Sequence, residues 1–422
     1  MHGCAGTVPG STATADRHGN DQTGAPVTRR GDVALTSLLT ALVALGPIST
    51  SLYVPSMPAL VHVFGTEPAL VQRSFTIFLV GFALAQLIYG PLSDRLGRKP
   101  VLIGGLVLYM VASVGCAASP GIWTFLTARL LQGIGACAGP VIGRAVVRDS
   151  FDRGGAQRAF AFIGTAIGLA PALGPLIGGF LEVWLGWRST FAFLVGYGGL
   201  MMWLVTMRLA ETIPERDRDA TNPVWLVRNY AGLLRHRRYL GYLLPGTCGF
   251  GGLFAYTAAS PFLFVDRLGL SPDVFGTLAL FTVSTYATGS FLAGRLQGRL
   301  DGDTMVRIGV GCTVAGGVLM TLLSGDLSLV RVIGPMMVFV FGFGLLLPAS
   351  TASALHPFPR IAGSASAMMG FLQMAVGAAG SLVLSRLYDG AATSLGLVIL
   401  VMAGAGAAGF LLLVPHGQAE EG

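Results

Sequence analysis

Apolar stretches of about twenty residues recur along almost the whole chain, and most charged residues fall in the breaks between them or near their ends. A helix needs about 20 apolar residues to cross the hydrocarbon core of a bilayer, so this pattern restricts the chain to a polytopic helical membrane protein. Only 11% of the 422 residues are charged, against about 25% in soluble domains, and the mean hydropathy is +0.69. Most of the 61 glycines and 22 prolines lie inside or beside the apolar runs. That placement excludes a collagen-like or low-complexity chain and suits packed membrane helices.

The runs predict twelve spans, near 33–55, 70–92, 100–118, 121–147, 158–181 and 188–208, then 239–264, 274–296, 305–324, 329–352, 361–385 and 394–414. The longest polar break, 209–238, divides them into an N-terminal six-helix half at 32–208 and a C-terminal six-helix half at 239–414, and reads as a cytoplasmic linker. Residues 1–31 are polar with no apolar core of a signal peptide, so they read as a disordered cytoplasmic tail, and 415–422 as a short C-terminal tail. With the N-terminus inside, twenty basic residues fall on the inner side and five on the outer. The positive-inside rule then places both termini in the cytoplasm. The net charge of +7 reflects that asymmetry and gives no reason to expect nucleic-acid binding.

Cys116, Cys137, Cys248 and Cys312 are isolated in apolar runs and the six histidines are scattered, so no metal site or redox pair is expected. A membrane enzyme should show paired intramembrane carboxylates or a motif such as H-E-x-x-H, and a sensor a soluble signalling domain; the chain has none of these. Asp94-Arg95-Leu96-Gly97-Arg98 closes the second span and Gly294-Arg295-Leu296-Gln297-Gly298-Arg299 closes the eighth, 200 residues later. Two parallel six-helix repeats would give this echo.

Between spans two and three, Gly90-Pro91-Leu92-Ser93-Asp94-Arg95-Leu96-Gly97-Arg98-Lys99-Pro100 places two small residues for close approach and a tight turn, and one acid among three cations. A positive-inside loop explains the cations but not the Gly/Asp spacing. The pattern resembles the signature loop of the major facilitator superfamily. Arg129-Leu130-Leu131-Gln132-Gly133-Ile134-Gly135 resembles that family's fourth-helix motif, and Gly164, Gly168, Pro171, Gly174, Pro175, Gly178 and Gly179 resemble the fifth-helix motif of its drug:proton antiporters. Together with Ser49-Thr50-Ser51-Leu52-Tyr53-Val54-Pro55, Leu87-Ile88-Tyr89-Gly90, Trp184-Leu185-Gly186-Trp187-Arg188 and Ala362–Ala367, these segments look like the bacterial Bcr/CflA subfamily, whose members include exporters of bicyclomycin and chloramphenicol-type antibiotics. The resemblance runs from about residue 33 to 410. It implies an all-α fold of two parallel six-helix repeats, location in the bacterial inner membrane, and proton-driven export of small hydrophobic molecules without a cofactor, by a protein taken as a monomer.

In this setting Gly90, Asp94, Arg95, Gly97, Arg98 and Lys99 are the candidate gating residues, Arg129, Gln132 and Gly133 the candidate coupling residues, and Gly168, Pro171, Gly174, Pro175, Gly178 and Gly179 a pliable helix at the repeat interface. The subfamily carries an Asp in the span-one motif where this chain has Ser51, and serine cannot titrate in the physiological range. That departure leaves a facilitator or metabolite carrier as the alternative reading. Glu182 and Asp94 are the candidate substitute proton sites. An arginine within a span costs roughly 3 kcal/mol or more unless paired. Pro47 frees the carbonyl of Val43, so Arg129 is expected to cap that break and tie span one to span four, with snorkelling to an interface as the alternative. Arg144, four residues before Arg148, reads as a solvated flank or as a residue facing an anion. Tyr53, Met57 and Gln132 from the first half, with Phe254, Tyr256, Phe371 and Gln373 from the second, are the candidate cavity wall.

Overall fold

The computed structural model describes residues 30–213, 217, 221–325, 327–358, 361–388 and 390–414. The expected tails lie outside the described residues except for Arg30 and Gly31, which begin the first helix. Among the described residues the chain is helical throughout, apart from one isolated bridge between Gln297 and Leu300.

The first expected span becomes α1 (Arg30–Ser51) and a 3₁₀ turn at Val54–Ser56, continued by α2 (Met57–Phe64) to a left-handed Gly65. Then come α3 (Pro68–Leu96), α4 (Arg98–Ala117), α5 (Ile122–Ala136), α6 (Ala138–Ser150), α7 (Arg153–Leu185) and α8 (Arg188–Arg208). The α5–α6 break sits where Pro140 has no N–H to offer the carbonyl of Ala136. The polar segment 209–238 contains a helix that its polarity did not suggest, α9 (Pro223–Arg235), started by the Asn222 side chain accepting from the Val224 N–H at 3.0 Å. After it follow α10 (Arg237–Pro261) with a π-helical turn at Phe262–Arg267, α11 (Pro272–Leu296), α12 (Gly302–Leu323), α13 (Leu329–Leu355), α14 (Ala362–Leu387) and α15 (Ala392–Leu413).

Eleven of these stretches, among the described residues, are long and apolar enough to cross a membrane. The expected span at 274–296 is not among them. Its helix α11 is long enough, but Thr277, Thr285 and Thr288 dilute its apolar character. Their hydroxyls donate to the helix's own carbonyls at 2.7–2.8 Å, which lowers the cost of holding them in an apolar setting.

Before α9, α5 packs on α3 and α4, α4 on α8, and α1 on α6 and α7; after it, α10 packs on α14 and α15, and α13 on α11 and α12. Two pairs join these groups most extensively, α3 along α14 and α7 along α11. The second pair interlocks through small residues away from the 90–100 loop. A Cβ at Gly179 would collide with the Pro272 carbonyl, and one at Gly276 with the Pro175 carbonyl. Beside them the Thr76 and Ser381 hydroxyls share a hydrogen bond of 2.9 Å between α3 and α14. The Phe75 and Phe254 rings meet edge to face at 5.6 Å.

Candidate functional site: the charged loop and the buried arginine

Gly97 ends α3 and begins α4 with φ +105°, a backbone conformation that only glycine adopts without strain. That turn aims Arg98 back at α3 and across to α6. The Arg98 guanidinium pairs with Asp94 one helical turn earlier, donates Nη1 to the Ser93 hydroxyl at 2.6 Å, and donates Nε to Asp149 at 3.0 Å. Asp94 therefore pairs within its own loop.

Two acids that the motif reading did not single out complete the arrangement. Asp149 is one. Glu211, just after α8, accepts the backbone N–H of Arg98 at 2.9 Å and of Lys99 at 3.3 Å, so it caps the first turn of α4 from a distant part of the chain. Partial burial pushes the Glu211 carboxyl up, but N–H donors from Arg98, Ile213, Thr212 and Lys99 outweigh it and hold the group below the usual carboxylate range. Lys99 Nζ donates to the Thr206 carbonyl at 3.0 Å in the last turn of α8, where a cation complements the helix dipole. Arg95 donates to the Thr221 hydroxyl at 2.7 Å. The loop thus ties α3, α4, α6, the end of α8 and the start of the following segment together. Gly90 plays no packing part here, since a Cβ there would meet nothing within 4 Å.

Arg129 is fully buried on α5, so it does not snorkel. Its guanidinium lies between the Tyr53 ring at 4.1 Å and the Phe78 ring at 4.4 Å. A desolvated cation–π contact contributes about 2 kcal/mol or more, comparable to the cost of placing the cation here. Its Nη1 donates to the Gln132 side chain one turn on and, at 3.4 Å, to the Ser49 carbonyl, while Nε and Nη2 have no hydrogen-bond partner. Arg129 and Gln132 are thus brought together as the motif implied, and Arg129 does reach span one. The expected carbonyl is wrong, however: the partner is Ser49 and not Val43. Ser49 belongs to the last turn of α1, whose carbonyls lack intrahelical partners, and that end lies nearer than the break made by Pro47. Gln132 Nε2 donates to the Ser113 hydroxyl at 2.8 Å, and the Ser49 and Tyr109 hydroxyls share a bond of 2.7 Å, so α1, α4 and α5 form one buried polar network. Gly133 faces α3, where a Cβ would collide with the Phe78 carbonyl.

Ser51 donates to the Pro47 carbonyl at 2.8 Å and to the Ala170 carbonyl of α7 at 3.4 Å. The α7 glycines divide into two groups. Gly174 faces Ser51, Gly178 the Leu52 carbonyl and Gly179 α11, whereas Gly164 and Gly168, nearer the charged loop, meet nothing within 4 Å. Close packing, expected for the whole run, is therefore limited to its last turns, around Pro171 and Pro175. Glu182 follows there, beside the Ser56 hydroxyl, and its Oε2 is buried with no hydrogen-bond partner.

Of the expected cavity wall, Tyr53 and Met57 are fully buried, Tyr256 is buried, and Phe254, Phe371 and Gln373 are half-buried. Tyr53, Met57, Phe254 and Tyr256 share one apolar cluster. Phe371 belongs to a second, built around Tyr239 and Met368. The structure does not gather all of them into one site.

The family model described as Major Facilitator Superfamily matches residues 39–381. The chain is 34% identical over 337 residues, 79% of its length and 83% of the relative's, to an uncharacterized MFS-type transporter, YdgK, of Bacillus subtilis (strain 168). It is 30% identical to multidrug resistance protein D of Escherichia coli (strain K12), covering 80% of this chain and 84% of that one. It is 32% identical to a chloramphenicol resistance protein of Pseudomonas aeruginosa, covering 78% of each. The solved structure of the E. coli xylose transporter XylE in a partially occluded inward open conformation superposes with a TM-score of 0.72 at 16% identity, over 90% of this chain and 98% of that one, which shows a shared fold.

Proposed function

The chain belongs to the major facilitator superfamily, and on that premise we propose that it is a bacterial inner-membrane exporter of small hydrophobic drugs that works by alternating access. The observation that carries this reading is the identity of 30% and 32%, over about four-fifths of the chain, to proteins named for multidrug and chloramphenicol resistance. We take α11 as a twelfth span, because it packs on α13 and α7 as a full member of the bundle. The charged loop and both termini then face the cytoplasm, in a chain of two six-helix halves joined by residues 209–238 and acting as a monomer.

In this reading α3–α14 and α7–α11 are the seams along which the halves rock, and the substrate site lies between the halves near mid-bilayer, walled by Phe254, Phe371 and Gln373. The Arg98 network holds the cytoplasmic face of the first half rigid while the seams move. The proton gradient is the energy source. With Ser51 held by two carbonyls, Glu182 is the carboxylate best placed to exchange a proton, because one of its oxygens is buried without a partner where α7 meets the end of the first span. A second reading, a facilitator or metabolite carrier with no proton step, is favoured by Ser51 itself.

Susceptibility testing in a host stripped of its own pumps decides between them. The panel is chloramphenicol, florfenicol and bicyclomycin, with and without a protonophore. Protection that the protonophore abolishes, and that Glu182→Gln abolishes with membrane expression unchanged, is the expected result. Protection indifferent to the protonophore overturns the proton step. No protection, with the protein confirmed in the membrane, overturns the drug-export reading and favours the facilitator or metabolite carrier.

A further inference from the structure

Pro140, Arg144 and Arg148 occupy one face of α6 at intervals of four residues. The upper end of that face touches the other helices that line the seam: a Cβ at Gly46 of α1 would stand 3.5 Å from Pro140 and 2.8 Å from Phe82 of α3. Its lower end reaches the other half of the protein, where a Cβ at Gly363, near the start of α14, would stand 3.7 Å from Arg148 Nη1. Arg144 therefore sits between these levels, about 9 Å along the helix from its end at Ser150.

Among the described residues the nearby acids are used elsewhere. Asp149, next in sequence to Arg148, points to Arg98 and Thr212, Asp94 also pairs with Arg98, and Asp152 caps α7 through the Gly155 N–H. Glu182 lies at the far end of α7. Among the described residues Arg144 bonds the Pro140 carbonyl, through Nε at 2.9 Å, and the two outer nitrogens of its fork have no hydrogen-bond partner. Among the described residues neither Arg144 nor Arg148 has a carboxylate within ion-pair distance. Ser51 removes the one acid that the span-one motif would have supplied on the same half.

We propose that Arg144 and Arg148 make the vestibule between the halves electropositive, so that this transporter takes neutral or acidic amphiphiles and rejects lipophilic cations. The inference rests on the transport reading above and narrows its substrate class. A low-dielectric cleft lined by one sign of charge concentrates the opposite sign within it, and the Arg144 fork can receive a carboxylate or phosphate with two parallel bonds.

The potential can be measured without any substrate. In full-length protein with Cys4→Ser and Cys312→Ser, whose remaining thiols at Cys116, Cys137 and Cys248 are buried, Gly363→Cys places a thiol beside Arg148 without a clash. Its thiolate attacks a methanethiosulfonate reagent, forms the mixed disulfide and releases methanesulfinate. We expect the anionic sulfonatoethyl reagent to outrun the cationic trimethylammonium reagent by about tenfold, after correction for their rates with free mercaptoethanol. Arg144→Gln with Arg148→Gln should bring the ratio near one. A cationic reagent that reacts as fast in the parent overturns the proposal, as does a ratio unmoved by the double change.

Binding to the purified protein then tests selectivity with chloramphenicol, its anionic succinate ester and tetraphenylphosphonium. The ester should bind at least as well as the neutral drug, and tetraphenylphosphonium at least tenfold more weakly. Arg144→Gln should narrow that gap, whereas equal binding of the cation in the parent overturns the proposal. If none of the three binds while the thiol ratio holds, the drug-export reading fails and the electropositive vestibule stands.

Discussion

The loop at 90–100 and its counterpart 200 residues later solve the same turning problem with different chemistry. In both, a glycine at positive φ reverses the chain between two long helices, Gly97 at +105° and Gly298 at +91°. The first turn is then bound into a network, with Arg98 on Ser93, Asp94 and Asp149, and Glu211 capping the next helix. The second has Gly294 where the first has Asp94, its Arg299 is exposed, and Arg295 lies over the Phe291 ring of its own helix at 4.8 Å. The contrast extends into the bundle. The first half buries Arg129 in a polar network, while among the described residues the fully buried large side chains after α9 are aromatic ones such as Tyr239, Phe262, Phe339 and Phe343. The two turns share a glycine at positive φ, and the charge network is built on the first.

The largest expected break in that contrast is Arg129→Lys. An ammonium cannot lie flat between Tyr53 and Phe78 while donating to Gln132 and Ser49. Losing about 2 kcal/mol of this stacking corresponds to a transport rate lower by roughly thirtyfold. Uptake into inverted vesicles measures it, and near-normal uptake would refute the coupling role.

Next, Arg98→Ala should lower stability by about 2 kcal/mol, because it leaves Asp149 partly buried without its cation. Arg299→Ala should stay within about 0.5 kcal/mol. Thermal unfolding in detergent, followed by reaction of the buried thiols of Cys116, Cys137 and Cys248 with a fluorogenic maleimide, gives both values. Equal effects would mean the network contributes nothing beyond the turn.

Gly97→Ala and Gly298→Ala each put a side chain on a backbone with positive φ, at a cost of about 1–3 kcal/mol, but only the first meets an obstacle. A Cβ at Gly97 would displace the Glu211 carboxylate, whereas at Gly298 it meets open space. The excess cost at Gly97, read in the same assay, isolates the Glu211 contact.

Within the network the smallest effect is Glu211→Gln, about 1 kcal/mol for a weakened cap. Because the folded-state carboxyl is held below its ordinary range, its contribution is present above the unfolded value and lost as pH falls through the folded one. The parent should therefore lose stability relative to Glu211→Gln on acidification below the usual carboxylate range. Parallel pH curves would remove Glu211 from the network.

Most of the helices were legible because a bilayer demands about twenty apolar residues for each crossing, and the charges mark the breaks. What escaped depends on contacts between distant segments. Helix α9 was hidden inside a segment read as polar linker, although Asn222-Pro223 is a sound helix start. Asp149 and Glu211 stand at a helix end and just beyond one, and the sequence contains nothing that says both converge on Arg98. Arg129 was readable as a buried cation tied to span one, but Tyr53 arrives from the turn after α1 and Phe78 from α3, and only the fold brings them to it. The α7 glycines marked a seam without saying that only the last turns of the run would be packed.

Lys99 is the only lysine in the chain, and its amine is tethered to the Thr206 carbonyl at the end of α8. The protein therefore carries a single side-chain handle for amine acylation, placed on the charged loop itself. Labelling rate at Lys99 becomes a built-in clock for that loop: each release of the tether exposes the amine, and each return protects it.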